Sequence, residues 1–161
     1  MPAVPDKTND SVFPAAVIDA SFMAAYLLGI YTGGSESAEH GFDTARNDIR
    51  TVVEGNGQFF VPCLFFYEIG NILQTASRKR KNGEAPRISP VERQEIEYDL
   101  FEFPLVTDSE DGTAVMMRIQ ELADKYMLSF YDASYLELSR RLQLPLLTFD
   151  GALEKAVITK K

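Results

Sequence analysis

The sequence predicts an α/β protein, a three-layer α/β/α sandwich around a mainly parallel central sheet. Short apolar segments, each four or five residues long, alternate with longer stretches whose apolar residues recur at helical spacing. Strands that alternate with helices require crossover connections, and these favour parallel pairing with helices on both faces. At 161 residues the chain has the length of about one domain. We predict a flexible leader over residues 1–13 and a single domain over residues 14–161.

The first half of the chain predicts two strands and three helices. Residues 15–18 form a short buried strand, followed by a helix that Gly29 helps to end. A more polar helix covers about residues 41–54. Residues 59–62 form the second strand, which Pro62 stops, and the helix that begins near Leu64 runs into the basic residues 78–81.

The second half predicts three further helices, two strands and a short terminal helix. Ser89 before Pro90 is typical of a helix start, and this helix extends to about Phe101. Residues 104–106 form a strand and residues 110–126 a helix. Another helix, opened by Asp132, reaches about residue 142. Residues 144–148 form the last strand, and Asp150-Gly151 turns the chain into a short terminal helix.

Composition excludes several kinds of site. A hydrophobic content of 45% predicts a folded domain. One cysteine excludes an intramolecular disulfide and disfavours a thiolate zinc site, and one histidine excludes a histidine-rich metal site. We interpret Cys63 and His40 as structural or incidental. The net charge of −8 disfavours non-specific nucleic-acid binding unless a metal or local basic patch offsets it. Neither a secretory signal nor a membrane span is predicted, so we expect a soluble, cytoplasmic protein.

Four acids lie where predicted strands end or helices begin. Asp19 and Asp150 follow strands directly, whereas Glu68 and Asp132 begin helices that face the same edge of the sheet. Because the carboxyl ends of parallel strands share one edge, we expect the acids to converge there. Carboxylate oxygens suit Mg²⁺ or Mn²⁺, and a cation held in this way can promote hydrolysis of a phosphodiester. Supporting roles are predicted for the adjacent Ser21, Asn71 and Thr148.

Structural interpretations remain open beside this one. Asp19 and Asp132 are also ordinary helix caps, and Asp150 suits an Asp-Gly turn. Glu68 lies within an apolar stripe, where its alternative is a buried ion pair with Arg140 or Arg141. Taken together, four structural acids are the less favoured interpretation.

The basic run consists of Arg78, Lys79, Arg80 and Lys81. Cations at a helix C-terminus complement the helix dipole, which is the simpler explanation. At about 1.5 Å per residue the run lies roughly 16 Å from Glu68, so it could contact only flanking RNA phosphates. Tyr26, Tyr31 and Tyr131 are weaker candidates for base stacking.

Four segments resemble the motifs of PIN-domain ribonucleases, above all the VapC-type toxins of toxin–antitoxin pairs. They are VIDAS (17–21), YEIGN (67–71), YDASYLEL (131–138) and LTFDGAL (147–153). The resemblance implies a Mg²⁺- or Mn²⁺-dependent endoribonuclease that cuts single-stranded RNA regions, with the four acids as catalytic metal ligands. It also implies a homodimer inhibited by a cognate antitoxin protein.

Three other functions are compatible with parts of this pattern. A phosphoacceptor receiver domain needs adjacent acids near the first strand, where this chain has Ala20 and Ser21. An aspartyl phosphatase needs a second acid at position 21. A PIN-like module that binds RNA or protein without cutting remains the main alternative.

Overall fold

The computed structural model describes residues 14–33, 39–80, 82–110 and 112–159. The predicted leader, Lys81 and the side chain of His40 therefore lie outside the described residues. The strands are β1 (Ala15–Ile18), β2 (Gln58–Val61), β3 (Leu105–Thr107) and β4 (Leu146–Leu147). The helices are α1 (Ala20–Thr32), α2 (Glu39–Glu54), α3 (Leu64–Ala76), α4 (Pro90–Glu102), α5 (Thr113–Tyr126), α6 (Phe130–Leu142) and α7 (Gly151–Ile158).

The four strands form one parallel sheet in the order β3-β2-β1-β4. In the centre of the sheet Val17 is paired with Phe60 on one side and Leu146 on the other. The chain moves across the sheet in one direction from β1 to β3 and then returns to β4, so right-handed crossovers put helices on both faces. The predicted α/β/α architecture is confirmed.

The core lies between the sheet and these two groups of helices. Helix α1 contacts α2, α3 and α4, whereas α6 packs on β1, β2 and β4 and contacts α5 and α7. Val17, Ile18, Phe59 and Val61 are fully buried because both faces of the strands are covered. None of the helices in the described ranges is long and apolar enough to cross a membrane.

Three element boundaries differ from the prediction. Gly29 does not end α1, which continues to Thr32 and is terminated by Gly33 at φ 69°. A Cβ atom at position 29 would lie 2.1 Å from Phe42 Cδ2, so this glycine permits close packing of α1 against α2. The last strand is only Leu146–Leu147, and β3 begins at Leu105.

The other differences concern the ends of α3 and α6. Helix α3 ends at Ala76, before the basic run, because the Ala76 carbonyl accepts hydrogen bonds from the N–H groups of Arg87 and Ile88 in the returning loop. Asp132 does not open α6. Ser129 is the N-cap, and its hydroxyl oxygen accepts a hydrogen bond from Asp132 N at 3.0 Å.

Candidate functional site

Asp19 lies at the carboxyl end of β1, where the neighbouring strands β2 and β4 are reached by connections on opposite faces. Such a reversal of strand order opens a crevice at the carboxyl edge, and ligands of α/β proteins bind there. Asp19 is 6% exposed and caps α1. Its Oδ1 accepts hydrogen bonds from Phe22 N at 2.7 Å and Ser21 Oγ at 2.8 Å.

The carboxylate of Asp19 is bound by uncharged hydrogen-bond donors and by no basic side chain in the described segments. Thr148, buried just after β4, also donates to its carboxylate, and no lysine or arginine within the described segments forms an ion pair with it. Burial raises the pKa of Asp19, the hydrogen bonds from Thr148, Phe22 and Ser21 lower it, and the negative charge of Asp132 raises it further. The net effect is a raised pKa.

Glu68 is the fifth residue of α3, where it is half-buried and faces α6. Its Oε2 accepts a hydrogen bond from the Tyr135 hydroxyl at 2.5 Å. Burial raises the pKa of Glu68, the Tyr135 hydrogen bond opposes this, and the charges of Asp132 and Asp19 add to the rise. The predicted alternative, an ion pair with Arg140 or Arg141, is wrong. Arg140 binds Tyr126 and the carbonyl of Ala156, and Arg141 binds other acids.

Asp132 lies in the first turn of α6, where the positive end of the helix dipole favours a carboxylate. Its Oδ2 accepts a hydrogen bond from the Ser129 hydroxyl at 2.5 Å, so the N-cap residue also orients this acid. Because the charge of Asp132 raises the pKa of both Asp19 and Glu68, these three acids share one electrostatic environment.

Asp150 is exposed and caps α7, its Oδ1 accepting from Leu153 N at 2.8 Å. It is linked to Asp19 through Thr148, whose hydroxyl oxygen accepts a hydrogen bond from Asp150 N while its O–H donates one to Asp19. Asn71 is exposed on α3 and makes no hydrogen bond to the four acids within the described ranges.

Two side chains at the site were not predicted from the sequence. Tyr135 is 2% exposed, accepts a hydrogen bond from Ala20 N and donates to Glu68. Burial and the bond to Glu68 raise the pKa of its hydroxyl well above the usual range, so Tyr135 acts as a donor. Ser129 could have been found, because a serine followed three residues later by an acid is a capping signal. For Tyr135 the only signal in the sequence was its position one helical turn after Asp132.

As a donor set, these oxygen atoms suit a hard divalent cation. Within the described residues, however, no group of three or more His, Cys, Asp or Glu side chains is arranged to hold a metal ion. The hydroxyls of Tyr135 and Ser129 instead engage Glu68 and Asp132.

The described part of the basic run lies apart from the four acids. Arg78, Lys79 and Arg80 are exposed beyond the C-terminal end of α3, and Arg80 is paired with Glu84 at 2.6 Å. Lys81 lies outside the described residues.

Comparisons with known proteins agree with the architecture. The crystal structure of PAE2754 from Pyrobaculum aerophilum is similar with a TM-score of 0.60 and 19% sequence identity, over 96% of this chain and 88% of that one. At this identity the likeness shows the fold alone. No curated protein sequence matches the chain. The PIN domain family model matches residues 16–158, which include all four acids and nearly the whole chain. The chain therefore belongs to the PIN domain family.

Proposed function

We propose that the protein is a Mg²⁺- or Mn²⁺-dependent endoribonuclease that hydrolyses phosphodiester bonds in single-stranded regions of RNA. PIN domains are usually nucleases that act on RNA, and they typically use divalent metal ions. Asp19, Glu68, Asp132 and Asp150 would hold the cation. When bound, it would stabilise negative charge on the phosphate and lower the pKa of a water.

One observation carries the proposal. Asp19 and Glu68 have raised pKa values, caused by burial and by the charge of Asp132, and no arginine or lysine in the described ranges neutralises any of the three. Acids that only stabilise a fold are usually paired when they are buried. A concentration of unbalanced negative charge at a ligand-binding edge fits a cation as the missing partner.

The chain's own side chains would orient the acids. Ser21, Phe22 N and Thr148 fix the carboxylate of Asp19, and the Thr148 hydroxyl couples it to the start of α7. Tyr135 holds Glu68, and Ser129 holds Asp132. On binding a cation, Glu68 and Asp132 would turn an oxygen toward it while these hydroxyls retain the other.

The biological context proposed is that of a VapC-type toxin. In this setting the protein would act in the cytoplasm as a homodimer and be inhibited by an antitoxin protein. Arg78, Lys79, Arg80 and Lys81 would contact flanking RNA phosphates, because they form the only run of four consecutive basic residues and are remote in sequence from the four acids.

A non-cleaving PIN-like module that binds RNA or protein is the second candidate. It is favoured by the absence, in the described part of the chain, of side chains arranged to hold a metal. The two candidates differ in whether the protein cleaves RNA by means of these acids or does not cleave it at all.

The substitution Asp132→Asn separates them. Asparagine retains the size of the side chain but removes its charge. Mn²⁺-dependent cleavage of a labelled single-stranded RNA should therefore fall by more than ~100-fold, because mutation of a residue that only supports a metal ligand already reduces activity by about 10- to 100-fold. Asp124→Asn, on the exposed face of α5, is the matched control and should cleave normally. Equal and negligible cleavage by the wild type and Asp132→Asn would favour the binding module. Loss of cleavage with unfolding, seen by circular dichroism, would favour the structural interpretation of Asp132.

A further inference from the structure

Three of the four acids are directly preceded by an aromatic residue. The pairs are Tyr67 with Glu68, Tyr131 with Asp132 and Phe149 with Asp150. Since these segments come from three different elements, local helix periodicity does not account for the recurrence. Tyr67 lies in the first turn of α3 and Tyr131 in the first turn of α6, and both helices begin at the carboxyl edge of the sheet.

Two of these rings are much more exposed than the third. Phe149 is 38% exposed, and its ring stacks on the buried Phe22 with ring centroids 4.4 Å apart. Tyr67 is 82% exposed and Tyr131 is 63% exposed. Both residues precede an acid whose carboxylate accepts a hydrogen bond, from Tyr135 to Glu68 in one case and from Ser129 to Asp132 in the other.

The other tyrosines considered from the sequence are engaged elsewhere. Tyr26 is half-buried and packs against Phe42 and Phe103, with ring centroids 6.5 and 5.7 Å apart. The Tyr31 hydroxyl donates a hydrogen bond to Asp99 on α4. Neither ring is therefore free to accept a base.

Charge also limits what can hold a nucleotide beside the acids. The chain has a net charge of −8, and the basic run lies beyond the far end of α3. Arg118 and Arg141 are nearer in sequence to Asp132, but both are paired with carboxylates. Apart from a bound cation, which would contact the phosphate, the charge distribution favours contacts with the uncharged part of a nucleotide. Aromatic rings stack on bases without regard to charge or sequence.

We propose that Tyr67 and Tyr131 stack on two unpaired bases that flank the phosphate at the carboxylate edge. The proposal rests on the proposed RNA substrate and adds the residues that select a single strand. Bases in a duplex already stack on their neighbours and would not be free to contact these rings. The two tyrosines would therefore reject double-stranded RNA and contribute most of the salt-independent affinity near the site.

The test uses the full chain carrying Asp132→Asn, so that bound RNA is not cut. Affinity for a short 5′-labelled single-stranded RNA is measured by fluorescence anisotropy, with Tyr67→Leu and Tyr131→Leu introduced separately. Each change should weaken binding by about 5- to 100-fold, as expected for the loss of one stacked base. The loss should be the same at low and high salt, because stacking neutralises no phosphate.

Tyr98→Leu is the matched control, because Tyr98 is 72% exposed on α4 and adjoins none of the four acids in sequence. It should leave affinity unchanged, and Tyr67→Phe and Tyr131→Phe should restore it because the ring is retained. An RNA with one abasic position should bind the parent weakly and be insensitive to one of the two tyrosine substitutions. Thermal unfolding checks that all variants fold.

Unchanged affinity in both leucine variants would overturn the proposal and favour a protein partner on these rings. An equal loss in Tyr98→Leu would also overturn it. If the wild type cuts no RNA with any divalent metal, yet the two leucine substitutions still weaken RNA binding, the stacking role stands and the nuclease proposal fails. If the wild type cuts RNA and both leucine variants bind and cut as it does, the nuclease proposal stands and the stacking role fails.

Discussion

Asp19 and Glu137 are both buried carboxylates, but their hydrogen-bond donors differ in charge. Glu137 lies on α6 and accepts a hydrogen bond from Arg118 Nε at 2.8 Å and one from Arg141 Nε at 3.0 Å. The same arginines are paired with two further acids, which completes the α6 ion network of Asp108, Glu110, Arg118, Glu137 and Arg141. Asp19 has only hydroxyl and backbone N–H donors.

The difference separates a structural acid from one kept for a ligand. A carboxylate satisfied by two guanidinium groups has little capacity left for a cation. The α6 ion network instead holds α6 against α5, through Arg118 and Glu137, and against the end of β3, through Arg141 and Asp108. A carboxylate satisfied by neutral donors keeps its negative charge and its attraction for a metal. Helix α6 carries both kinds, since Asp132 precedes Glu137 by less than two turns.

The largest effect on stability should come from Glu137→Ala. The change leaves Arg118 and Arg141 without their shared partner, and removal of one member of a buried ion pair costs up to about 3–5 kcal/mol. We expect about 3 kcal/mol, measured by urea unfolding, because both arginines keep some exposure and other acids. Glu54→Ala, which breaks the exposed pair with Arg50, should cost less than about 1 kcal/mol. Similar losses in the two variants would show that burial of Glu137 is irrelevant.

Addition of Mg²⁺ or Mn²⁺ should distinguish the two kinds of acid directly. A metal at ten times its Kd stabilises the folded state by about 1.4 kcal/mol, which raises the Tm by about 3–6 °C for a chain of this size. EDTA should reverse the rise. The rise should persist in Glu137→Ala and disappear in Asp132→Asn. If Asp132→Asn keeps the full shift, the ion binds elsewhere.

Two helix caps provide a smaller and closely matched comparison. Ser129 caps α6 beside Asp132, and Ser89 caps α4 in a capping box with Glu92. Alanine at either position should cost about 1 kcal/mol of stability. Only Ser129→Ala should also reduce RNA cleavage, by about 10- to 100-fold, because its hydroxyl orients Asp132. Equal cleavage by both variants would restrict Ser129 to capping.

The fold was predictable from the sequence because its signals are local. Apolar strands such as residues 15–18, the Ser89-Pro90 helix start and the alternation of strands and helices all depend on neighbouring residues. The boundaries that were wrong depend on distant contacts. Gly29 stays helical because Phe42 packs against it, and α3 ends at Ala76 because the loop at Arg87 returns to bond its last carbonyl.

The site was predictable only in part for the same reason. Position after a strand or near the start of a helix identified the acids, and topology brings Asp19, Glu68 and Asp132 into one electrostatic environment. Which partner each acid takes is a tertiary property. Nothing near Glu68 in sequence indicates Tyr135, 67 residues away, and nothing near Glu137 indicates that Arg118 will reach it.

The smallest expected effect concerns the pH dependence of Asp19. Because its pKa is raised by folding, the folded state binds more protons than the unfolded state, and stability falls as pH rises through the folded pKa. Asp19→Asn removes this titration while asparagine still caps α1. In the metal-free protein the variant should therefore have the higher Tm at pH 7, by about 2–4 °C for each kcal/mol, and the difference should shrink as pH falls toward about 4. Asp124→Asn, exposed on α5, controls for the replacement of an aspartate by asparagine. A lower Tm for Asp19→Asn at pH 7 would mean that its charge stabilises the fold, as that of Glu137 does, and the contrast between the two acids would be lost.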